Sequence, residues 1–226
     1  MPLSKEQQAV ASIVLGASQG RLALAGGAAL IFHGVTDRMT KDLDTFAGDH
    51  STSIPEVSAA VVQSLKASGY MIDDRTPEGA EEHIRKLFVS KPSKKVGRPP
   101  ETVQVDIGKD FHSSPPVGTR LGPTLNLLDL AANKLLAARD RVAPRDADDI
   151  ARLAVRFEFS EMFSQACSKE PDPLPRELWA EGFRRVAEED PDFFPDPASA
   201  PEVKEYMRGL ADHLDTGAPV PQSPYV

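Results

Sequence analysis

Two aspartates separated by one leucine, in the segment DLDTFAG at residues 42–48, restrict this chain more than any other feature. An extended strand turns successive side chains to opposite faces, so Asp42 and Asp44 share one face while Leu43 faces the core. Two carboxylates on one face of one strand repel each other unless a cation lies between them. A hard divalent ion, Mg²⁺ or Mn²⁺, meets that need, because it takes carboxylate oxygen and keeps positions for water and phosphate. The competing account is a solvated strand edge whose charges only discourage aggregation.

The segment before it, LALAGGAALIFHG, places Gly26 and Gly27 between an expected strand and an expected short helix closed by Gly34. Without side chains, backbone N–H groups approach an anion closely, and a helix N-terminus favours negative charge. That suits a triphosphate, although many strand-to-helix turns use glycine for steric reasons alone. A third acid, Asp106, lies in VQVDIG, where Val103 and Val105 face one way and Gln104 and Asp106 the other. If this strand neighbours DLDTF, three carboxylates converge from two strands, the usual construction of a metal site for in-line displacement. A polar outer face is the plainer alternative.

The remaining pattern predicts a mixed α/β (α+β) fold, with a sheet flanked by helices and followed by a helical C-terminal region. Ser4 caps a helix over residues 4–17, and IPEVSAAVVQSLKASG has helical spacing with Gly69 as its stop. YMIDDR, HIRKLFVS and TVQVDIG read as strands, the last two joined by the basic hairpin loop KPSKKVGRPPE. After Gly122, TLNLLDLAANKLLAARDRVA is an amphipathic helix, and Pro144 opens the next one at a favourable first-turn position. The division expected is residues 1–120 as a core and 121–226 as a helical region completing its cleft, with the Pro-rich tail GAPVPQSPYV loosely held.

Composition removes several classes. The longest apolar run, Leu22 to Val35, is fourteen residues, too short for a bilayer, and no charged-then-apolar leader precedes it. One cysteine, Cys167, forms no internal disulfide. A soluble cytoplasmic protein without a membrane partner is the expectation. The net charge of −8 argues against a general nucleic-acid binder. It is unevenly distributed, however, since Arg85 to Arg98 carries six basic residues and no acidic one, while Glu158 to Val226 carries fifteen acidic against six basic. The basic stretch suits an RNA backbone or an ordinary soluble loop, and the GRP within it is a weak minor-groove signal. His33, His50, His83, His112 and His213 have no ligand spacing.

The order GG, then R-x-T-x-D-L-D, then a later strand acid, then K-L-L-A-A-R followed by R-D-x-x-D, resembles the AbiEii-type nucleotidyltransferases. These are toxin components of bacterial type IV toxin–antitoxin pairs within the polymerase-beta-like superfamily. The resemblance runs from about Leu22 to Ile150. It implies that Gly26 and Gly27 hold nucleotide phosphates, that Asp42 and Asp44 bind metal, and that Asp106 helps activate the attacking hydroxyl. It further implies that Lys134 contacts the triphosphate and that Asp146, with Asp149 as the alternative, is the final family aspartate. Thr40 faces the same site if the strand extends back to it, orienting a ligand or satisfying the preceding turn.

Lys134 and Arg141 are seven residues apart and share a face that Arg145 continues, which suits a departing pyrophosphate. A solvated face paired with Asp140, Asp146 and Asp148 accounts for Arg139, Arg141 and Arg145 equally well. By resemblance the reaction is NMP transfer from an NTP to an acceptor hydroxyl, of RNA or a tRNA 3′ end, restrained by a cognate antitoxin protein. The rivals are a small-molecule (aminoglycoside-like) or protein acceptor, and a nucleotide-binding interaction protein without turnover.

Overall fold

The computed structural model describes residues 3–49, 51–92, 100–172 and 174–226. Lys94, Lys95 and Arg98 of the basic stretch, the GRP and His50 lie outside them. The chain divides into two units, Met1–Asn126 and Leu127–Val226.

In the first unit Ser4 caps α1 (Lys5–Ala17) as the sequence predicts, in a capping box with Gln7. β1 (Ala23–Leu24) leads into α2 (Gly26–Phe32), and β2 (Asp42–Ala47) into α3 (Ile54–Ala67). β3 (Met71–Asp74), β4 (Ile84–Ser90) and β5 (Thr102–Lys109) follow, and the unit ends with β6 (Val117–Thr119) and β7 (Gly122–Thr124). These strands form one mixed sheet in the order β3-β4-β5-β2-β1-β7-β6. β2 and β5 are parallel, whereas β4 and β5, like β1 and β2, are antiparallel.

Alternation along the central strands divides the sheet into two faces. Leu43, Leu87, Val89, Val103, Val105 and Ile107 are fully buried on one, where α1 and α3 pack. Asp42, Asp44, Phe46, Gln104, Asp106, Lys86 and Phe88 stand half-buried on the other. Burial of this kind stabilises by about 1.5–3 kcal/mol for each large apolar side chain. It fixes the register, because a slip of one residue would bury the aspartates and expose the leucines.

The hairpin of β6 and β7 was not expected from the sequence, which extends the following helix back to Thr124. Instead Thr124 pairs with Leu24 of β1 in parallel, so the helix starts only at Leu127. Propensity over TLNLL is decided here by an open sheet edge.

The second unit comprises α4 (Leu127–Asp140), α5 (Pro144–Leu153), α6 (Phe159–Ser168), α7 (Arg176–Glu188) and α8 (Ala200–Thr216). Its core gathers Leu130, Leu135, Ile150, Trp179, Phe183 and Met207, all at most 1% exposed. The tail is not loosely held as composition suggests. The Ser223 hydroxyl donates to the Ala151 carbonyl at 2.7 Å, and Tyr225 hydrogen-bonds Asp148 while its ring lies under Arg152. Two side chains in a Pro-rich stretch thus give it partners that composition does not reveal. Among the described residues no helix is long and apolar enough to cross a membrane.

Candidate functional site

Strand register assembles the acidic face. Asp44 on β2 stands opposite Asp106 on β5, and Asp106 in turn stands opposite Lys86 on β4. Paired residues point the same way, so two carboxylates and an ammonium form a row across three strands. Two register positions along, on the same face, Asp42 stands opposite Gln104.

Asp106 and Asp42 on this face are each held by named neighbours. Gln104 Nε2 donates to both oxygens of Asp106 at 3.1 Å, and Lys86 Nζ lies 3.8 Å from the same carboxylate. Burial raises the Asp106 carboxyl above its ordinary range; Gln104 and Lys86 oppose the shift, and the charge of Asp42 adds to it. Thr40 lies outside the strand, yet its Oγ1 donates to Asp42 Oδ1 at 2.8 Å. It therefore orients a carboxylate, a role between the two weighed from sequence. Gln7 of α1 donates to the Thr40 carbonyl at 2.8 Å and fixes that loop.

The glycines have a specific steric use. Gly26 opens α2 at φ +58°, and a Cβ added there would lie 1.8 Å from Asp44 Oδ2. A Cβ on Gly27 would come within 3.1 Å of both the Arg38 guanidinium and Thr40 Oγ1. The Ala25 N–H donates to the Asp44 carbonyl at 2.8 Å. The glycine turn and the carboxylate strand are therefore packed directly on each other, and any side chain at Gly26 would displace Asp44.

Among the described residues no three Asp, Glu, His or Cys side chains are gathered into a metal-holding group. The donor chemistry nonetheless fits Mg²⁺, which one or two carboxylates and substrate phosphate oxygens ordinarily hold without a full protein cage. Asp42 and Asp44, on one face of β2, are of the type such a pair requires, and a cation beside them would relieve the repulsion between Asp42 and Asp106.

In the helical unit, Lys134 is buried with its Nζ 2.7 Å from Asp146 Oδ1 and 2.8 Å from Asp149 Oδ2. Asp146 and Asp149 lie three apart on α5 and share a face, so both candidates meet the same lysine. Arg141 closes on the other Asp146 oxygen at 2.9 Å. Burial alone would lower the Lys134 pKa, but the two aspartates outweigh it and raise it. Likewise burial would raise the Asp146 pKa, but Lys134 and Arg141 outweigh it and lower it.

The other basic residues divide. Arg139 pairs with Asp140 and Glu170 and lies over the Trp179 ring, while Arg145 is exposed. Asp148 belongs to Arg152 and Tyr225. Of the residues that hold the acidic row, Gln104 was visible in the strand alternation, whereas Lys86 was legible only as one of a basic stretch.

Residues 8–223 match the family described as Nucleotidyl transferase AbiEii toxin, Type IV TA system. Among solved structures, the fold is similar to JHP933 from Helicobacter pylori, with a TM-score of 0.57 and 17% identity over 95% of this chain and 94% of that one. It is also similar to MenT4, the nucleotidyltransferase toxin Rv2826c from Mycobacterium tuberculosis H37Rv, with a TM-score of 0.55 and 16% identity over 92% of this chain and 83% of that one. At such identities the likeness is one of fold. No curated protein matches the chain.

Proposed function

The chain belongs to the AbiEii nucleotidyltransferase toxin family of type IV toxin–antitoxin systems, and on that premise we propose that it transfers a nucleoside monophosphate from an NTP to a hydroxyl of RNA, at a tRNA 3′ end. A cognate antitoxin protein would restrain it in the cytoplasm. The observation that carries this reading is the half-buried acidic face, on which Asp44 and Asp106 stand in register while Gly26 packs against Asp44.

Asp42 and Asp44 would hold Mg²⁺, with Asp106 beside them. Bound there, the ion supplies charge neutralisation for the triphosphate. Thr40 keeps the Asp42 carboxylate in one orientation, and Gln104 and Lys86 do the same for Asp106. The raised pKa of Asp106 suits it to take the acceptor's proton. As that hydroxyl oxygen bonds to the α-phosphorus, the bond from the α-phosphorus to the bridging oxygen breaks and pyrophosphate leaves with its electron pair. Gly26 and Gly27 are assigned to the phosphates. In the helical unit Lys134 is assigned to the triphosphate, its ammonium kept charged by Asp146 and Asp149.

Incubating the protein with labelled NTPs, Mg²⁺ and total RNA tests this. Label should enter RNA with the wild type and not with Asp42→Ala, which should keep its fold because the side chain is half-exposed. Label on another acceptor, or full transfer by Asp42→Ala, would overturn the acceptor or the site respectively.

A further inference from the structure

The acidic face continues into a cavity that the reaction scheme above does not use. Phe46 lies two residues beyond Asp44 on the same face of β2, about 7 Å along the strand. Its ring rests over Gly108 of β5, 3.3 Å from where a Cβ would stand. Just past β2, Gly48 leaves room for the His112 imidazole, which occupies the space of the missing side chain at 1.7 Å from the Cβ position. Phe46, His112 and Pro116 line a cavity of about 240 Å³ whose polar lining includes Arg21, Asp49 and Thr52. Ser51 already satisfies Asp49 through its N–H and hydroxyl. His112 Nδ1, by contrast, is buried with no hydrogen-bond partner among the described residues.

We propose that this cavity receives the base of the nucleoside triphosphate, with Phe46 and His112 as its aromatic contacts and His112 Nδ1 bonded to its edge. Three features select a base. The volume is below that of ordinary pockets for whole drug-sized ligands. Two rings beside polar groups are the usual surroundings of an unstacked base. The gap from Asp44 is one that a sugar would bridge. Gly48 is then required for the position of His112, since any side chain there would expel the ring. The inference rests on the assignment of Asp42 and Asp44 to the triphosphate.

The test compares binding of each of the four Mg²⁺–NTPs with binding of Mg²⁺–tripolyphosphate, which has no base, to the wild type, His112→Phe and Phe46→Ala. His112→Phe keeps a ring and removes its nitrogens. The wild type should hold its preferred NTP at least roughly ten-fold more tightly than tripolyphosphate. His112→Phe should lower the nucleotide affinity by roughly ten-fold, flatten the ranking of bases and leave tripolyphosphate unchanged. Equal wild-type affinity for NTP and tripolyphosphate, or an unchanged ranking in a folded His112→Phe protein, would overturn the base pocket alone. Failure to bind either ligand, or transfer surviving in Asp42→Ala, would instead overturn the proposed function.

Discussion

Replacing Lys134 by methionine would leave two carboxylates buried around a neutral side chain. Asp146 and Asp149 are both fully buried, and Lys134 lies within 2.8 Å of each. Breaking a buried ion pair by removing one partner costs about 3–5 kcal/mol, because the remaining charge has lost its solvent and its counter-ion. Asp146 keeps Arg141 as a counter-ion, which places its loss below the top of that range, but that side chain is 54% exposed and screened, so the relief is small. A loss of about 3–5 kcal/mol is a large share of a typical domain's stability and lowers Tm on the order of 10 °C.

The pH dependence follows from the two shifts. The Asp146 pKa is lowered in the fold, so its contribution is present above the ordinary 3.8 and is lost as pH falls through the folded value. The Lys134 pKa is raised, so its contribution is present below 10.5 and is lost as pH rises through its folded value. Urea unfolding of wild type and Lys134→Met should therefore differ most between these limits, and the difference should begin to shrink as pH falls below about 4 toward the lowered folded value of Asp146. A difference under about 1 kcal/mol at pH 7, or one that ignores acid, would refute the burial argument.

Further outcomes follow from the acidic face and the tail. Gly26→Ala places a Cβ 1.8 Å from Asp44 Oδ2 at φ +58°; it should cost about 2–3 kcal/mol in thermal unfolding and slow transfer roughly 100-fold. Thr40→Val removes the hydrogen bond to Asp42; kcat should fall roughly 10-fold, and Thr40→Ser should restore it. Deleting residues 219–226 strips the Ala151 carbonyl and Asp148 of their tail donors; urea unfolding should show a loss of about 2 kcal/mol.

The acidic strands were legible because alternation is local. Asp42, Leu43 and Asp44 declare their faces within three residues, and Gln104 and Asp106 repeat the pattern. The pairing of Asp44 with Asp106 required knowing that β2 and β5 are neighbours, which no local period encodes. The same limit hid β7, whose three residues are a strand because β6 pairs along them and Leu24 lies beside Thr124. Lys134 was found as a functional candidate by resemblance, but its two carboxylate partners depend on how α4 meets α5. The choice between Asp146 and Asp149 was unresolvable from sequence for a physical reason: both bind the same ammonium.

The central position of β5 has a consequence for biosynthesis. It joins β4 on one side to β2 on the other, so without it the sheet falls into a β3–β4 hairpin and a β2-β1-β7-β6 remnant. A nascent polypeptide that has not yet released Thr102–Lys109 from the ribosome lacks both Asp106 and the strand that would close its middle. Until translation passes that point, the growing chain cannot assemble the acidic row of Asp44, Asp106 and Lys86.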